Sequence, residues 1–119
     1  MTSIGIDIVE IGRIESAIRQ WGKRFLNRIY TEAELKLCQG RASSLAGHFA
    51  AKEAVMKVLG TGTRGVNWRE IEILSDARGK PLVKLYGQAK NKAEELKLSE
   101  FAISLSDTKQ HAVAVALGI

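Results

Sequence analysis

From Ile4 to Ile11 the chain alternates. Ile4, Ile6 and Ile8 fall on one face of an extended segment, and Gly5, Asp7 and Val9 on the other, the period-two signature of a strand. Asp7 therefore stands in mid-strand, where an unpartnered carboxylate is costly to bury. The period then changes: in "RIESAIRQWGKRFLNRIY" the positions Ile14, Ala17, Ile18 and Trp21 recur at helical spacing, with a break expected near Gly22. Thr31, followed three residues later by Glu34, opens "TEAELKLC" as a short helix with a capping box. Ser43 or Ser44 is placed to cap a long helix running to about Leu59, and the loop "GTGTRG" (Gly60 to Gly65) ends it. Beyond it, "REIEILS" reads as a strand, "DARGKP" as a turn and "LVKLY" as the returning strand. "GQAKNKAEELKL" reads as a solvent-facing helix, and "FAISLSD" and "HAVAVALG" as two strands joined by "DTKQ". The expected fold is α+β, a mainly antiparallel sheet with the long central helix packed against it.

That central helix raises the question of chemistry. On a wheel of 100° per residue, Leu45, Phe49 and Met56 cluster, while Ala50, Ala54, Val55, Val58 and Leu59 cover most of the remaining circumference. An element apolar nearly all round belongs in the interior. Yet it carries Glu53 and Lys57 four residues apart on one face, and His48 and Lys52 as a second such pair. On an exposed helix these would be ordinary surface pairs. Set beside Asp7, they suggest more: one carboxylate from a strand and one from a buried helix are enough for a hard divalent cation, since magnesium takes only one or two protein carboxylates and completes its shell with water and phosphate oxygens. The glycines after the helix permit close backbone approach to a phosphate, and Lys57 adds a point charge. The loop is not a Walker A motif, because no Gly-Lys-Ser/Thr ends it.

Composition narrows the classes. The 119 residues fit one domain spanning 1–119, without room for a separate cofactor-binding module. So short a chain buries a modest share of its surface, which makes oligomerisation an expectation. A single cysteine, Cys38, excludes an intrachain disulfide and reads as a packing residue. "MTSIGIDIVEI" has no basic leader before its apolar stretch, and no apolar run approaches the roughly 18 residues of a membrane span. A cytoplasmic protein is the expectation. The net charge of +5 is uneven: Arg13, Arg19, Lys23, Arg24 and Arg28 face the single acid Glu15. Such a segment attracts an anionic partner. A small nucleic-acid-binding module is one competing reading, but it gives no reason for Asp7 and Glu53 in apolar elements. A purely structural oligomer subunit, the other, leaves the Glu53/Lys57 pair and the glycine loop as coincidences.

In order along the chain, "GIDIVEIGRIE", "FAAKEAVMKVLGTG", "EIEIL" with "GKP", and "SLSDTKQHAVAVA" strongly resemble the bacterial holo-acyl-carrier-protein synthases, the small 4′-phosphopantetheinyl transferases. The resemblance covers essentially the whole chain. It implies transfer of the 4′-phosphopantetheine arm of coenzyme A to a serine of apo-acyl carrier protein, with release of 3′,5′-ADP. It implies Asp7 and Glu53 as ligands of magnesium, for which manganese is a possible substitute, and Lys57 as a phosphate contact. The base for the serine is a carboxylate or a metal-ordered water held by one. Gly60, Thr61 and Gly62 would line the nucleotide site, with Gly79, Lys80 and Pro81 near the adenine and Asp107 and Thr108 turned toward the same ligand. The chain departs from the pattern at His48, where arginine is expected, and at Asp107, where related sequences can carry histidine. His48 would hold the nucleotide more weakly than arginine does. Arg13, Arg24 and Arg28, with Phe25 as an apolar anchor, would dock the acidic carrier. Members of this size are similar in being homotrimers with active sites between subunits. Trp21 and Trp68 read as packing residues.

Overall fold

A computed structural model describes residues 2–119. Strand β1 (Ser3–Glu10) runs into helix α1 (Ile11–Trp21), followed by α2 (Lys23–Ile29), α3 (Glu32–Cys38) and the long helix α4 (Ala42–Leu59). After the glycine loop comes a short 3-10 turn (Trp68–Glu70), then the hairpin β2 (Ile71–Ser75) and β3 (Pro81–Leu85). Helix α5 (Gly87–Glu95) and the strands β4 (Phe101–Asp107) and β5 (His111–Gly118) complete the chain. One sheet has the order β1-β5-β4, antiparallel throughout, and β2-β3 form a second, two-stranded sheet. The expected α+β architecture is what forms.

Helix α4 lies across the inner face of the larger sheet, and small residues make that approach possible. Ala112, Ala114 and Ala116 of β5 are buried beneath it, as are its own Ala50, Ala51 and Ala54. Gly5 is indispensable to this contact: a Cβ there would come within 2.0 Å of the Ala54 carbonyl oxygen. The Gly5/Asp7/Val9 face of β1 therefore turns inward. The outer face is the apolar one. Ile4, Ile6 and Ile8 are 68%, 60% and 63% exposed, and they pair in register with Leu117, Val115 and Val113.

Four local expectations are corrected. Neither Ser43 nor Ser44 caps α4; both lie within its first turn, and Arg41 occupies the cap position without a side-chain bond. The tight connection from α3, through left-handed Gln39 and Gly40 and an Arg41 N–H that donates to Cys38 O (3.0 Å), starts the helix earlier than serine chemistry suggests. Arg69 and Glu70 are not in strand β2, because Asn67 and Glu70 form a capping box that holds them in the 3-10 turn. Pro81 belongs to β3 rather than to the turn before it. Trp21 is not a packing residue: it is 51% exposed, with the Arg24 guanidinium 5.9 Å from its ring. Trp68 does pack, stacked on Phe49 at 4.7 Å. Gly22, at φ 55, separates α1 from α2 as expected, and Cys38 is buried.

Candidate active site

The close approach at Gly5 brings the next inward residue of β1, Asp7, against α4 beside Glu53. Burial first, and then the neighbouring Asp7 carboxylate, push the Glu53 carboxyl up to about 7, against the weaker opposing pull of Lys57 and Arg13. Lys57 does not pair with Glu53 along the helix. Its ammonium crosses to β1 instead, donating to the Ile6 carbonyl at 2.7 Å and standing 3.5 Å from Asp7 Oδ1. The result is two adjoining carboxylates with one tethered lysine. Among the described residues no three His, Cys, Asp or Glu side chains come together, so the protein supplies no closed metal cage. Two carboxylates on one open side suit a hard cation that keeps water and phosphate oxygens in its shell.

The loop closing α4 is committed to the helix end. The Gly60 N–H donates to Lys57 O and the Thr61 N–H to Met56 O, while the Thr61 hydroxyl donates to Gly62 O. Gly79, Lys80, Pro81 and Asp107 gather elsewhere, around His48, whereas Thr108 lines neither hollow there. The His48 side chain lines a hollow of about 210 Å³ with Ser43, Ser44, Gly47, Leu105, Ser106 and Asp107. It also lines a second hollow of about 370 Å³ that includes Gly79, Lys80 and Pro81. Asp76 shapes the turn behind that second wall, its carboxylate accepting from the Arg78 and Lys80 N–H groups. Thr108 shapes the turn after β4: its hydroxyl oxygen accepts from the Gln110 and His111 N–H groups.

Sequence reasoning missed what lies behind His48. Glu34 was legible only as a capping-box residue, which it is. It is also fully buried and accepts hydrogen bonds from Thr31 N (3.0 Å), Lys52 Nζ (2.6 Å), His48 Nδ1 (2.9 Å) and Ile73 N (3.3 Å). Burial raises its carboxyl, but His48 and Lys52 outweigh that and hold it below the usual carboxylate range. Lys52, likewise fully buried, also donates to the Trp68 and Ile71 carbonyls. Burial lowers its ammonium pKa while Glu34 opposes the shift. His48 and Lys52 are therefore not a pair with each other; both converge on Glu34. The available signal was a glutamate and a lysine in apolar segments, each needing a partner.

The basic segment forms one side of the molecule. Trp21, Arg24, Phe25 and Arg28 line a groove of about 350 Å³. Arg13 lies in a neighbouring depression that also includes Trp21. Phe25 is half-buried, near Tyr30 and Phe49 (ring centroids 6.1 and 6.5 Å away), so Trp21 is the more exposed aromatic of the groove. Arg13 is also close enough to Glu53 to favour its ionised form, which links this basic side to the carboxylate pair.

Comparisons with known proteins identify the family. A holo-[acyl-carrier-protein] synthase of Dehalococcoides mccartyi (strain CBDB1) is 49% identical over 117 residues, covering 98% of each chain. The crystal structure of Helicobacter pylori holo-[acyl-carrier-protein] synthase in complex with coenzyme A superposes with a TM-score of 0.89 at 34% identity, covering 98% of this chain and 99% of that one. The Plasmodium yoelii acyl carrier protein synthase with ADP bound gives 0.89 at 33% identity, with 98% and 93% covered. Residues 3–116 match the 4′-phosphopantetheinyl transferase superfamily, and the chain belongs to that family.

Proposed function

We propose that the chain transfers 4′-phosphopantetheine from coenzyme A to a serine of apo-acyl carrier protein, releasing 3′,5′-ADP, at a magnesium site made by Asp7 and Glu53. Manganese is a possible substitute. The observation that carries the site assignment is the pressing together of these two carboxylates, with Glu53 pushed up to about 7 by burial and by Asp7. An arrangement that raises the cost of its own charge is one that a cation relieves. When bound, the ion would offset the charge that grows on the pyrophosphate leaving oxygen.

The protein's own groups supply the rest. Lys57, tethered to the Ile6 carbonyl and more exposed than either carboxylate, would contact the same phosphates. Gly60, Thr61 and Gly62 would border the nucleotide through groups the helix end leaves free. His48, Gly79, Lys80, Pro81, Asp107 and Thr108 would hold its far end. Arg24 and Arg28, with Trp21 beside Phe25, would dock the acidic carrier, and Arg13 would bridge that surface to the carboxylates. The apolar face of exposed Ile4, Ile6 and Ile8 with half-buried Val113, Val115 and Leu117 suits burial against further copies. A homotrimer with sites between subunits is the assembly we assign, one domain per chain, in the cytoplasm. The nucleic-acid-binding alternative finds no support in the comparisons.

Calorimetric titration of coenzyme A with magnesium, and again with a chelator, tests the site. Binding should weaken on metal removal in the wild type and lose its metal response in Glu53→Gln. A metal response of wild-type size in that variant would move the ion elsewhere.

A further inference from the structure

Glu34 plays no part in the chemistry proposed above, yet it is a fully buried carboxylate with four hydrogen-bond donors aimed at it. Its one side-chain donor that reaches the surface is His48, whose side chain is 15% exposed and forms a wall of both hollows. We propose that Glu34 is a positioning residue for substrate recognition: it holds the His48 ring with a hydrogen on Nδ1, so that Nε2 is the atom offered to the nucleotide end of the substrate. This rests on coenzyme A being the substrate.

The argument is geometric. An ionised carboxylate only accepts hydrogen bonds, so a contact of 2.9 Å from His48 Nδ1 to Glu34 Oε2 requires the hydrogen on Nδ1. Glu34 cannot turn away to suit another tautomer. The Thr31 N–H holds one oxygen through the capping box of its own helix, the Ile73 N–H holds the other from β2, and Lys52 clamps it from α4. Nε2 has no hydrogen-bond partner among the described residues, and its ring is where the hollow with Asp107 meets the hollow with Lys80. A histidine on an exposed helix samples several rotamers and pays to be ordered when a ligand binds. Here that ordering precedes binding, and the preorganisation goes into affinity for coenzyme A. Glu34 thus acts through His48 and touches no substrate itself.

The test is nitrogen-15 NMR of the His48 ring in the full chain at about pH 8. His48→Asn assigns the signal. The ring should carry its hydrogen on Nδ1, and 3′,5′-ADP should shift Nε2. A hydrogen on Nε2 alone, or a ring that 3′,5′-ADP leaves unmoved, overturns the proposal. Kinetics supply the second readout. Glu34→Gln should raise the KM for coenzyme A about tenfold, the scale of one hydrogen bond, with kcat and the KM for carrier little changed. Because that change leaves Lys52 without its counter-charge, Glu34→Gln/Lys52→Met is measured beside it. His48→Asn, which keeps a donor for Glu34 but lacks Nε2, should show the same KM rise. Losses spread equally over kcat and both KM values mark a merely structural residue and overturn the proposal. A wild-type chain that transfers the group while these variants keep their KM for coenzyme A sinks the positioning role alone. A wild-type chain that does not bind 3′,5′-ADP sinks the substrate assignment with it.

Discussion

The Lys57 ammonium crosses from α4 to β1, where it lies 2.7 Å from the Ile6 carbonyl and 3.5 Å from Asp7 Oδ1. This link ties the two elements that carry the carboxylates, and it depends on the contact at Gly5, where a Cβ would also come 2.9 Å from Lys57 Cβ. The helix and strand cannot separate at that point without parting Asp7 from Glu53.

Replacing Glu53 by Gln keeps the shape and removes the charge. The expected outcome is loss of kcat by about two orders of magnitude or more, the scale of losing a group that stabilises developing charge, with an unchanged circular-dichroism spectrum. Turnover near wild type would remove Glu53 from the metal site.

The same residue sets a pH dependence of stability. An ordinary glutamate titrates near 4.5, and folding raises Glu53 to about 7. Between those values the folded chain holds a proton that the unfolded chain has released, so this contribution is complete below about 4.5 and is lost as pH rises through about 7. The melting temperature of metal-free protein should fall over that window, Glu53→Gln should flatten the fall, and magnesium should reverse it at the alkaline end. A wild-type slope identical to that of the variant would contradict the raised pKa.

Arg24→Glu with Arg28→Glu places acids in the groove beside Trp21. The KM for carrier protein should rise steeply and with a weaker salt dependence than wild type, while the KM for coenzyme A holds. Steady-state kinetics against each substrate separates the two. Equal effects on both would take the carrier off this surface.

Ile6→Asp puts a charge at the centre of the exposed apolar face. If the proposed trimer forms through this face, light scattering should show it replaced by a monomer, with activity lost in parallel, since the proposed sites lie between copies. A variant that stays trimeric would place the interface on another surface.

Much of this fold is legible in the residues, but pairings distant in sequence are not. The β1 alternation identifies the strand, yet not which face is inward. Isoleucines beside a glycine and an aspartate suggest hydrophobic-in, and here a helix needing the clearance of Gly5 takes the other face. Thr31 and Glu34 announce a capping box from four adjacent residues, whereas the pairing of Glu34 with His48, Lys52 and Ile73 spans 14 to 39 positions and has no local signal. Asp7 and Glu53 were legible as odd carboxylates in apolar elements. Trp21 misled because helical spacing gives periodicity and not depth.

Lys52→Met tests the buried network directly. It leaves Glu34 ionised without its closest cation, and breaking a buried pair from one side costs about 3–5 kcal/mol. Denaturant unfolding should show a loss of that order, partly restored by adding Glu34→Gln. A loss below about 1 kcal/mol, the range of surface pairs, would contradict the burial described here.

The most direct measurement is the intact mass of apo-acyl carrier protein after incubation with the chain, coenzyme A and magnesium, beside a chelator control and Glu53→Gln. A gain of one phosphopantetheine group is expected only with wild-type chain and free metal. No gain with several competent carriers, or an equal gain in the chelator, would contradict a metal-assisted transferase built on Asp7 and Glu53.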